Sequence, residues 1–187
     1  MFIIIGLTGK KQTGKDTVFN ILKRTIKPPN RVLRLAFADA VKDEVACACG
    51  VTVKEIEADK DTYRPVLQWW GTEFRRKLKG DKYWIDKVCK KIIALTDTNP
   101  TYLTLLVVTD VRFQNEADFI KFCNGYIVKV IRPLDNNDTH KSETELDSII
   151  PNHIIDNSNN LQTLESVVEL TIHNIIAKHT LTIPIIT

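Results

Sequence analysis

The chain has 187 residues, of which 43% are hydrophobic and 26% charged, the balance of an ordinary globular protein. This length predicts one domain with a substantial core and leaves little room for a second. The formal net charge of +3 is too small to indicate nucleic-acid binding, although it suits a site that holds several phosphates. The four cysteines lack the paired spacing of a zinc site and predict buried free thiols in a reducing cytoplasm: Cys47, Cys49, Cys89 and Cys123.

Short apolar runs alternate with helical patterns, which is typical of a parallel sheet covered by helices. The first run, residues 2–7, is too short for a membrane span and lacks the basic start of a signal peptide, so it predicts a buried strand. The predicted strands are residues 2–7, 31–37, 102–109, 125–132 and 153–156. The predicted helices are residues 15–25, 38–49, 63–79, 82–96, 115–122 and 161–178. Residues 134–144 indicate an exposed, mobile segment, and residues 180–187 receive no assignment.

A phosphate-binding loop is the strongest local signal. The segment GKKQTGKDT, from Gly9 to Thr17, follows the first strand and opens the first helix, the context such a loop requires. Its glycines permit backbone angles that direct N–H groups at phosphates, and the helix adds its positive N-terminal end. A plain glycine turn is the alternative, but strand, spacing, lysine and helix together favour the loop. The expected ATP contacts are Gly9, Lys11, Thr13, Gly14, Lys15, Asp16 and Thr17.

The chemistry of the loop centres on Lys15 and on a magnesium ion. Lys15 is expected to reach the β- and γ-phosphates and to neutralise the departing phosphoryl group. The residue after this lysine is usually a serine or threonine that binds Mg²⁺, whereas here Asp16 comes first and Thr17 second. The sequence leaves open which of the two oxygens serves. Magnesium is still expected, because hard phosphate oxygens need a hard cation.

Two charged residues follow the third predicted strand. Asp110 stands where an acidic residue commonly orders Mg²⁺ through water, and Arg112 would lie near the transferred phosphate. An Asp–Arg surface pair is the alternative. Arg132 ends the fourth strand and begins a polar segment, containing His140 and Glu143, that is suited to close over the phosphates. His140 by itself indicates no more than a surface histidine.

A helix through residues 64–78 would carry two neighbouring stripes at 100° per residue. One stripe is apolar and should face the core: Leu67, Trp70, Phe74 and Leu78. The other carries an amide, a glycine and two arginines: Arg64, Gln68, Gly71 and Arg75. The guanidiniums suit a phosphate, the amide suits the edge of a base, and the glycine leaves room for a ligand. A solvated surface is the alternative, and the glycine between an amide and two arginines favours the ligand site.

Three further residues remain open between a ligand role and a structural role. Asp39 follows the second predicted strand, where open α/β sheets bind ligands, and either contacts a sugar or an arginine or caps the next helix. Trp69 and Trp84 either stack on a nucleobase or pack in the core.

Together these segments resemble the deoxynucleoside monophosphate kinases of large DNA phages and related viruses. The matching segments are GKDT at 14–17, FAD at 37–39, LQWWGTE at 67–73, DKYW at 81–84, TDVRF at 109–113, NE at 115–116, His140, and SE at 142–143. They span most of the chain in order, and the Lys-Asp-Thr form of the loop is that of this family. Animal-type phosphomevalonate kinases look like more distant relatives with the same loop. Residues 156–164 resemble the turn that cradles adenine in dephospho-CoA kinases, which implies an ATP contact at Asn157.

The resemblance and the element pattern predict a P-loop NTPase three-layer sandwich, a five-stranded parallel sheet with helices on both faces. We expect a single domain over residues 1–187, an acceptor-binding helical region at about 38–98 and a lid at about 133–145. The resemblance implies transfer from ATP, with Mg²⁺, to the 5′-phosphate of a deoxynucleotide, often by a dimer. Neither nucleic acid nor a membrane is an expected partner, and a viral protein would act in the cytoplasm of the host cell.

The acceptor pocket implied by the resemblance contains Arg64, Gln68, Trp84, Arg112 and an arginine after Gly71. The family pattern aligns that arginine with Arg76, whereas the helical stripe selects Arg75. A bent or early-ending helix would reconcile the two. Beside them, the expected acceptor contacts are Asp39, Trp69, Asp110 and Glu143.

Two alternatives to this function stay open. One is a kinase for another phosphorylated small molecule, such as dephospho-CoA or phosphomevalonate. The other is a nucleotide-binding protein without transfer activity. A GTP switch is disfavoured because the chain contains no Asn-Lys-x-Asp segment and no glycine closely follows Asp110. The base preference of the acceptor cannot be chosen from the sequence, because the Gln68 amide suits several bases when it rotates.

Overall fold

The computed structural model describes residues 1–96, 102–133 and 145–182. Its strands are β1 (Phe2–Thr8), β2 (Arg31–Leu35), β3 (Thr104–Val111), β4 (Tyr126–Ile131) and β5 (His153–Asp156). Its α-helices are α1 (Lys15–Thr25), α2 (Phe37–Cys49), α3 (Val53–Ala58), α4 (Lys60–Gln68), α5 (Arg75–Lys79), α6 (Tyr83–Thr96), α7 (Gln114–Phe122) and α8 (Leu161–Thr182). A π-helical segment, Trp69–Phe74, joins α4 to α5, and a 3₁₀ turn spans Glu145–Ser148.

The strands form one five-stranded sheet in the order β2-β3-β1-β4-β5. Pairing is parallel between β1 and β3, β1 and β4, and β4 and β5. The central strands β1 and β3 are apolar along almost their whole length because helices cover both of their faces. The predicted five-stranded parallel sheet with helices is therefore confirmed.

Alternate residues of β1 face two different layers of helix, as the period of two in a strand requires. Ile3, Ile5 and Leu7 belong to a core cluster that also contains apolar residues of α1 and α8. On the other face a β-carbon at Gly6 would lie only 2.6 Å from Ile120 Cδ1 of α7. The sheet consequently lies between α1 and α8 on one face and α7 on the other.

The chain divides into two compact units. The sheet unit comprises Met1–Arg34 and Asn99–Thr187, and the helical unit comprises Leu35–Thr98. The helical unit has an apolar core of its own, in which Val45, Ile56 and Val88 are at most 1% exposed. Among the residues that the structure describes, no helix is long and apolar enough to cross a membrane.

Several predicted boundaries were wrong. The second strand ends at Leu35 rather than at residue 37, and the third runs on to Val111, so Asp110 lies within the strand instead of after it. The helix α3 was missed, although Thr52 and Glu55 form a capping box at its start. The helix predicted over residues 63–79 consists of α4, the π-helical segment and α5. The π-helical segment was not predicted. The final helix extends to Thr182 instead of residue 178. The expectation of buried thiols was also wrong, since Cys47 and Cys49 are exposed and Cys89 and Cys123 are half-buried.

Candidate active site

The phosphate loop is a tight turn between β1 and α1 with glycine at two positions of positive φ. Gly9 has φ 140° and Gly14 has φ 100°, angles that a residue with a β-carbon rarely adopts. Space is short at both positions. A β-carbon at Gly9 would lie 2.3 Å from the carbonyl oxygen of Val130, and one at Gly14 would lie 2.4 Å from Asn157 Nδ2. Both glycines are therefore favoured by their backbone angles, and Gly9 is also required by its contact with the Val130 backbone.

Lys15 lies folded over this loop. Its Nζ donates to the carbonyl oxygens of Gly9, at 2.6 Å, and Lys10, at 2.8 Å. The buried Thr13 hydroxyl donates to the same Lys10 carbonyl at 2.9 Å. These neutral acceptors hold the ammonium at the loop, and a phosphate is a stronger partner for it because the phosphate carries a full negative charge. The loop is thus organised to bind a polyphosphate.

Asp16 and Thr17 are both exposed in the first turn of α1. The carboxylate of Asp16 also interacts favourably with the positive end of the helix. Mg²⁺ usually takes one or two protein oxygens and completes its shell with substrate phosphates and water. An exposed hydroxyl or carboxylate beside a phosphate loop fits that donor set. No three metal-ligating side chains cluster in residues 1–96, 102–133 and 145–182.

The end of β3 lies beside the start of the phosphate loop. In the pairing of β1 with β3, Thr8 stands opposite Val111, and Gly9 follows Thr8 directly. The neighbours of Val111, Asp110 and Arg112, are both half-buried. The sheet register therefore brings these two predicted site residues alongside the loop.

Glu116 fixes the backbone at this point. Its Oε2 accepts hydrogen bonds from the N–H groups of Arg112, at 2.9 Å, and Phe113, at 3.2 Å. The residue is only 2% exposed and stands in the first turn of α7. In the sequence analysis Glu116 was only part of a matching segment and received no role. The available signal was an acid in the first turn of the helix predicted over residues 115–122, where capping acids are common.

Asn157 joins the phosphate loop to the turn after β5. Its side-chain Nδ2 donates to the Thr13 carbonyl oxygen at 2.8 Å, and its backbone N–H donates to Ile131 at 2.8 Å. The resemblance implied an ATP contact through backbone at this turn, whereas the structure gives the side chain a partner within the loop itself. Arg132, which follows β4, is exposed, and Lys11 in the loop is half-buried.

In the helical unit, the π-helical segment Trp69–Phe74 interrupts the polar stripe that was predicted for a continuous α-helix. Arg64, Gln68 and Gly71 are half-buried. A π-helical turn holds one residue more than an α-helical turn, so residues beyond it are shifted by one position along the stripe. The shift replaces Arg75 by Arg76 at the end of the stripe, and Arg76 is buried at 8% exposure. The expectation that Leu78 faces the core was wrong, since that side chain is 61% exposed.

Glu44 of α2 is the polar centre of the helical unit. Its Oε2 accepts from Trp70 Nε1 at 3.0 Å and from Arg75 Nε at 2.6 Å. Its Oε1 accepts from the Tyr83 hydroxyl and lies 3.2 Å from Lys87 Nζ. Burial alone would raise the pKa of Glu44, but the hydrogen bonds of these four donors outweigh it and lower the pKa from 4.5 to about 2. Glu44 therefore stays ionised.

This residue was missed by the sequence analysis, although a signal for it exists. Glu44 stands four residues after Ala40 and three after Val41, both buried, so it lies on the apolar face of α2. An acid on such a face needs partners, because an unpaired buried charge is costly. The sequence does not show which residues of the helical unit supply them.

The two open tryptophans have different environments. Trp84 is 2% exposed, and its Nε1 donates to the Gly71 carbonyl at 2.8 Å. It therefore packs inside the helical unit and holds the backbone at Gly71. Trp69 is 50% exposed and stacks on Phe74, with ring centroids 5.1 Å apart and planes 9° apart. One face of Trp69 is covered by Phe74.

Asp39 does not cap α2. Ala36 is the N-cap residue, and Asp39 lies inside the first helical turn, where its N–H donates to the Ala36 carbonyl at 3.3 Å. The capping alternative was therefore wrong. The remaining candidate, Glu143, lies outside the described residues together with His140 and most of the predicted lid.

Comparison with known proteins identifies the family to which this chain belongs. The model of the family described as phosphomevalonate kinase matches residues 7–125, more than half of the chain. The chain is a P-loop kinase of this family. It passes a phosphoryl group from a nucleotide to an acceptor, and P-loop kinases generally use ATP with Mg²⁺.

A viral protein is also similar to this kinase over most of its length. It comes from Acanthamoeba polyphaga mimivirus and is named "Putative deoxynucleotide monophosphate kinase". The two chains are 32% identical over 169 residues, covering 79% of this chain and 83% of the viral one. The resemblance to virus-type deoxynucleotide kinases is thereby confirmed.

Solved structures of low sequence identity are also similar to the kinase. TT1252 from Thermus thermophilus is 16% identical, covers 92% of this chain and 97% of its own, and gives a TM-score of 0.49. Shikimate kinase from Aquifex aeolicus is 14% identical, covers 95% and 98%, and gives a TM-score of 0.45. The fold assignment rests on the strand order and the phosphate loop rather than on these scores.

Proposed function

We propose that the kinase transfers the γ-phosphoryl group of ATP to the phosphate of a deoxynucleoside monophosphate, giving a diphosphate and ADP. The observation that carries this proposal is the 32% identity, over 169 residues, to the mimivirus protein named "Putative deoxynucleotide monophosphate kinase". The segments of this chain that resemble the virus-type kinases include the loop motif GKDT, the helical motif LQWWGTE and the strand motif TDVRF. A likeness confined to nucleotide binding would be expected around the loop alone.

The donor side of the reaction is assigned to the sheet unit. Backbone N–H groups of the loop bind the ATP phosphates, and Lys15 exchanges its two carbonyl partners for phosphate oxygens. Asp16, Thr17 and Asp110 are the residues that would hold Mg²⁺, which neutralises phosphate charge when bound. Arg112 and Arg132 would balance the charge that develops during transfer.

The acceptor side is assigned to the helical unit. Arg64 and Arg76 would bind the acceptor phosphate, and the Gln68 amide would bond to the edge of the base. Gly71 leaves space beside them, because a β-carbon there would meet only Val41, at 3.5 Å. The acceptor phosphate is ionised at neutral pH, so the transfer needs positioning and charge balance rather than a strong general base.

A second candidate acceptor is phosphomevalonate, because the family model that matches residues 7–125 carries that name. It also presents an ionised phosphate as the nucleophile, so the donor chemistry is the same for both acceptors. The two differ at the end of the molecule remote from the phosphate. An aromatic base suits Gln68 and the exposed Trp69, whereas mevalonate has neither a ring nor a base edge.

An acceptor screen tests the proposal directly. ADP release would be measured with ATP, Mg²⁺ and each of dTMP, dGMP, dCMP, dAMP, phosphomevalonate and dephospho-CoA. We expect kcat/KM for at least one deoxynucleotide to exceed that for phosphomevalonate at least 100-fold. Faster transfer to phosphomevalonate would refute the proposal in favour of the second candidate, and ATP hydrolysis without transfer to any acceptor would refute both. The same preparation, analysed by light scattering, tests the implied dimer.

A further inference from the structure

One side chain outside the phosphate loop holds a peptide group of the loop. Asn157 Nδ2 donates to the carbonyl oxygen of Thr13 at 2.8 Å. The loop is 144 residues away in sequence, so this contact is not a product of local geometry. The absence of a side chain at Gly14 makes it possible, since a β-carbon there would lie 2.4 Å from the same nitrogen.

The turn that carries Asn157 is anchored on both sides. The backbone N–H of Asn157 donates to the Ile131 carbonyl at the end of β4, at 2.8 Å. Asp156 Oδ1 accepts from the N–H of Ser158 at 2.9 Å, which closes the turn around the residue. The turn lies between β5 and α8, whose side chains Ile155 and Leu164 are each 2% exposed in the core. The amide is thus presented from a fixed point.

The contact also determines the direction of an N–H group. In a trans peptide the carbonyl oxygen and the following N–H point to opposite sides of the chain. With the Thr13 oxygen directed at Asn157, the N–H of Gly14 is directed away from it. Gly14 precedes Lys15 at the start of α1, where free N–H groups bind phosphates. A rotated Thr13–Gly14 peptide would instead present its oxygen, which repels phosphate.

We infer that Asn157 is a positioning residue that fixes the Thr13–Gly14 peptide so that the Gly14 N–H binds a phosphate of the nucleotide. This inference rests on the proposal that the loop binds ATP and adds a role for a side chain remote from the loop in sequence. The Asn157 side chain acts on the polyphosphate through the loop peptide and makes no contact with the nucleoside.

Binding measurements with two ligands test the inference. Calorimetry would compare ATP with inorganic tripolyphosphate, which has the phosphates but no nucleoside. The variants are Asn157→Ala and Asn157→Leu, which both keep the backbone N–H, and Leu also keeps most of the volume. An aspartate is avoided because its charge would repel phosphate directly. Asn159→Ala, in the same turn and exposed, is the matched control.

We expect both Asn157 variants to bind ATP and tripolyphosphate about tenfold more weakly, by the same factor for each, as loss of one organising hydrogen bond predicts. The control should match the wild type, and thermal unfolding without ligand should be similar in all four proteins. A loss for ATP alone would show contact with the nucleoside and overturn the inference. Unchanged binding in the variants would overturn it as well, while leaving the proposed function intact. A wild-type protein that binds neither ligand would overturn both.

Discussion

Arg75 Nε donates a hydrogen bond of 2.6 Å to Glu44 Oε2. The guanidinium of Arg75 also lies 5.1 Å from the ring centroid of Trp70 and 5.0 Å from that of Phe74. An arginine with a carboxylate partner and two ring faces is part of the internal structure of the helical unit. The sequence could not choose between Arg75 and Arg76 for the acceptor pocket. The contacts of Arg75 and the one-residue shift at the π-helical segment give the two arginines different environments.

Replacement of each arginine by alanine should therefore have a different effect. Arg75→Ala should lower the stability of the protein by about 2 kcal/mol or more, because Glu44 loses a charged partner in a largely buried place. Arg76→Ala should raise KM for the acceptor about tenfold or more, because it removes a phosphate-binding guanidinium in the proposed pocket. Urea unfolding and steady-state kinetics would measure the two effects.

Lysine replacements provide the control for that pair. Arg75→Lys should recover part of the lost stability by restoring the charge beside Glu44, but not the planar contact with the rings. If Arg75→Ala raised the acceptor KM more than Arg76→Ala, the assignment of Arg76 to the pocket would be wrong.

Glu44 itself should be more important to stability than its neighbour on the same helix. Glu44→Gln removes the charge that faces Arg75 and Lys87, and we expect a loss of about 2–4 kcal/mol. Asp43→Asn is the matched control, since the Asp43 side chain is 62% exposed and lies 4.0 Å from Lys91. An exposed pair of this kind contributes about 1 kcal/mol or less. Equal losses in the two variants would contradict a structural role for Glu44.

The pKa of Glu44 gives this difference a pH dependence. The pKa is lowered from 4.5 in the unfolded chain to about 2, so the stabilisation is complete above pH 4.5 and disappears as the pH falls through 2. The stability gap between wild type and Glu44→Gln should thus be constant from pH 7 to 5 and shrink between pH 4.5 and 2. Urea unfolding at pH 7, 4 and 3 would measure it, and a gap at pH 3 as wide as at pH 7 would contradict the assignment.

The sheet could be predicted from sequence because its signals are local and continuous. The strand β1 reads as an unbroken apolar run, and GKKQTGKDT follows it at the spacing a phosphate loop requires. The start and end of α1 were predicted to the residue for the same reason. Strand ends were predicted less well, since nothing in the sequence between Thr109 and Arg112 marks where pairing with β1 stops.

The polar centre of the helical unit could not be predicted, because its partners come from separate helices. Glu44 is on α2, Arg75 on α5, and Tyr83 on α6, and no spacing rule connects them. The π-helical segment was missed for a related reason. Residues 69–74 have no proline or unusual glycine pattern that distinguishes a π-helical turn from an α-helical one, and packing decides between them. The one extra residue of the π-helical turn places Arg76, instead of Arg75, at the last position of the polar stripe.

Lys15→Ala should abolish phosphoryl transfer while leaving the fold intact. Lys15 is half-buried at the surface of the loop, and its ammonium donates to two loop carbonyls that can bond to water once it is removed. We expect kcat/KM to fall 100-fold or more, the effect of removing a group that binds transition-state charge. Lys23→Ala, an exposed lysine of the same helix, should be unchanged. Wild-type transfer by a folded Lys15→Ala protein would contradict the mechanism.

Glu116 offers the sharpest test of whether the backbone between β3 and α7 matters for transfer. One oxygen of its carboxylate accepts from two N–H groups, those of Arg112 and Phe113. Glu116→Ala leaves both donors without that acceptor in a buried place, and we expect a stability loss of about 1–3 kcal/mol together with a lower kcat. Glu116→Gln keeps an oxygen of the same shape and should restore most of both. Asp118→Asn, on the exposed side of the same helix, should change neither. If Glu116→Ala lowered stability but left kcat unchanged, Glu116 would serve α7 alone and Arg112 would not depend on it for its position.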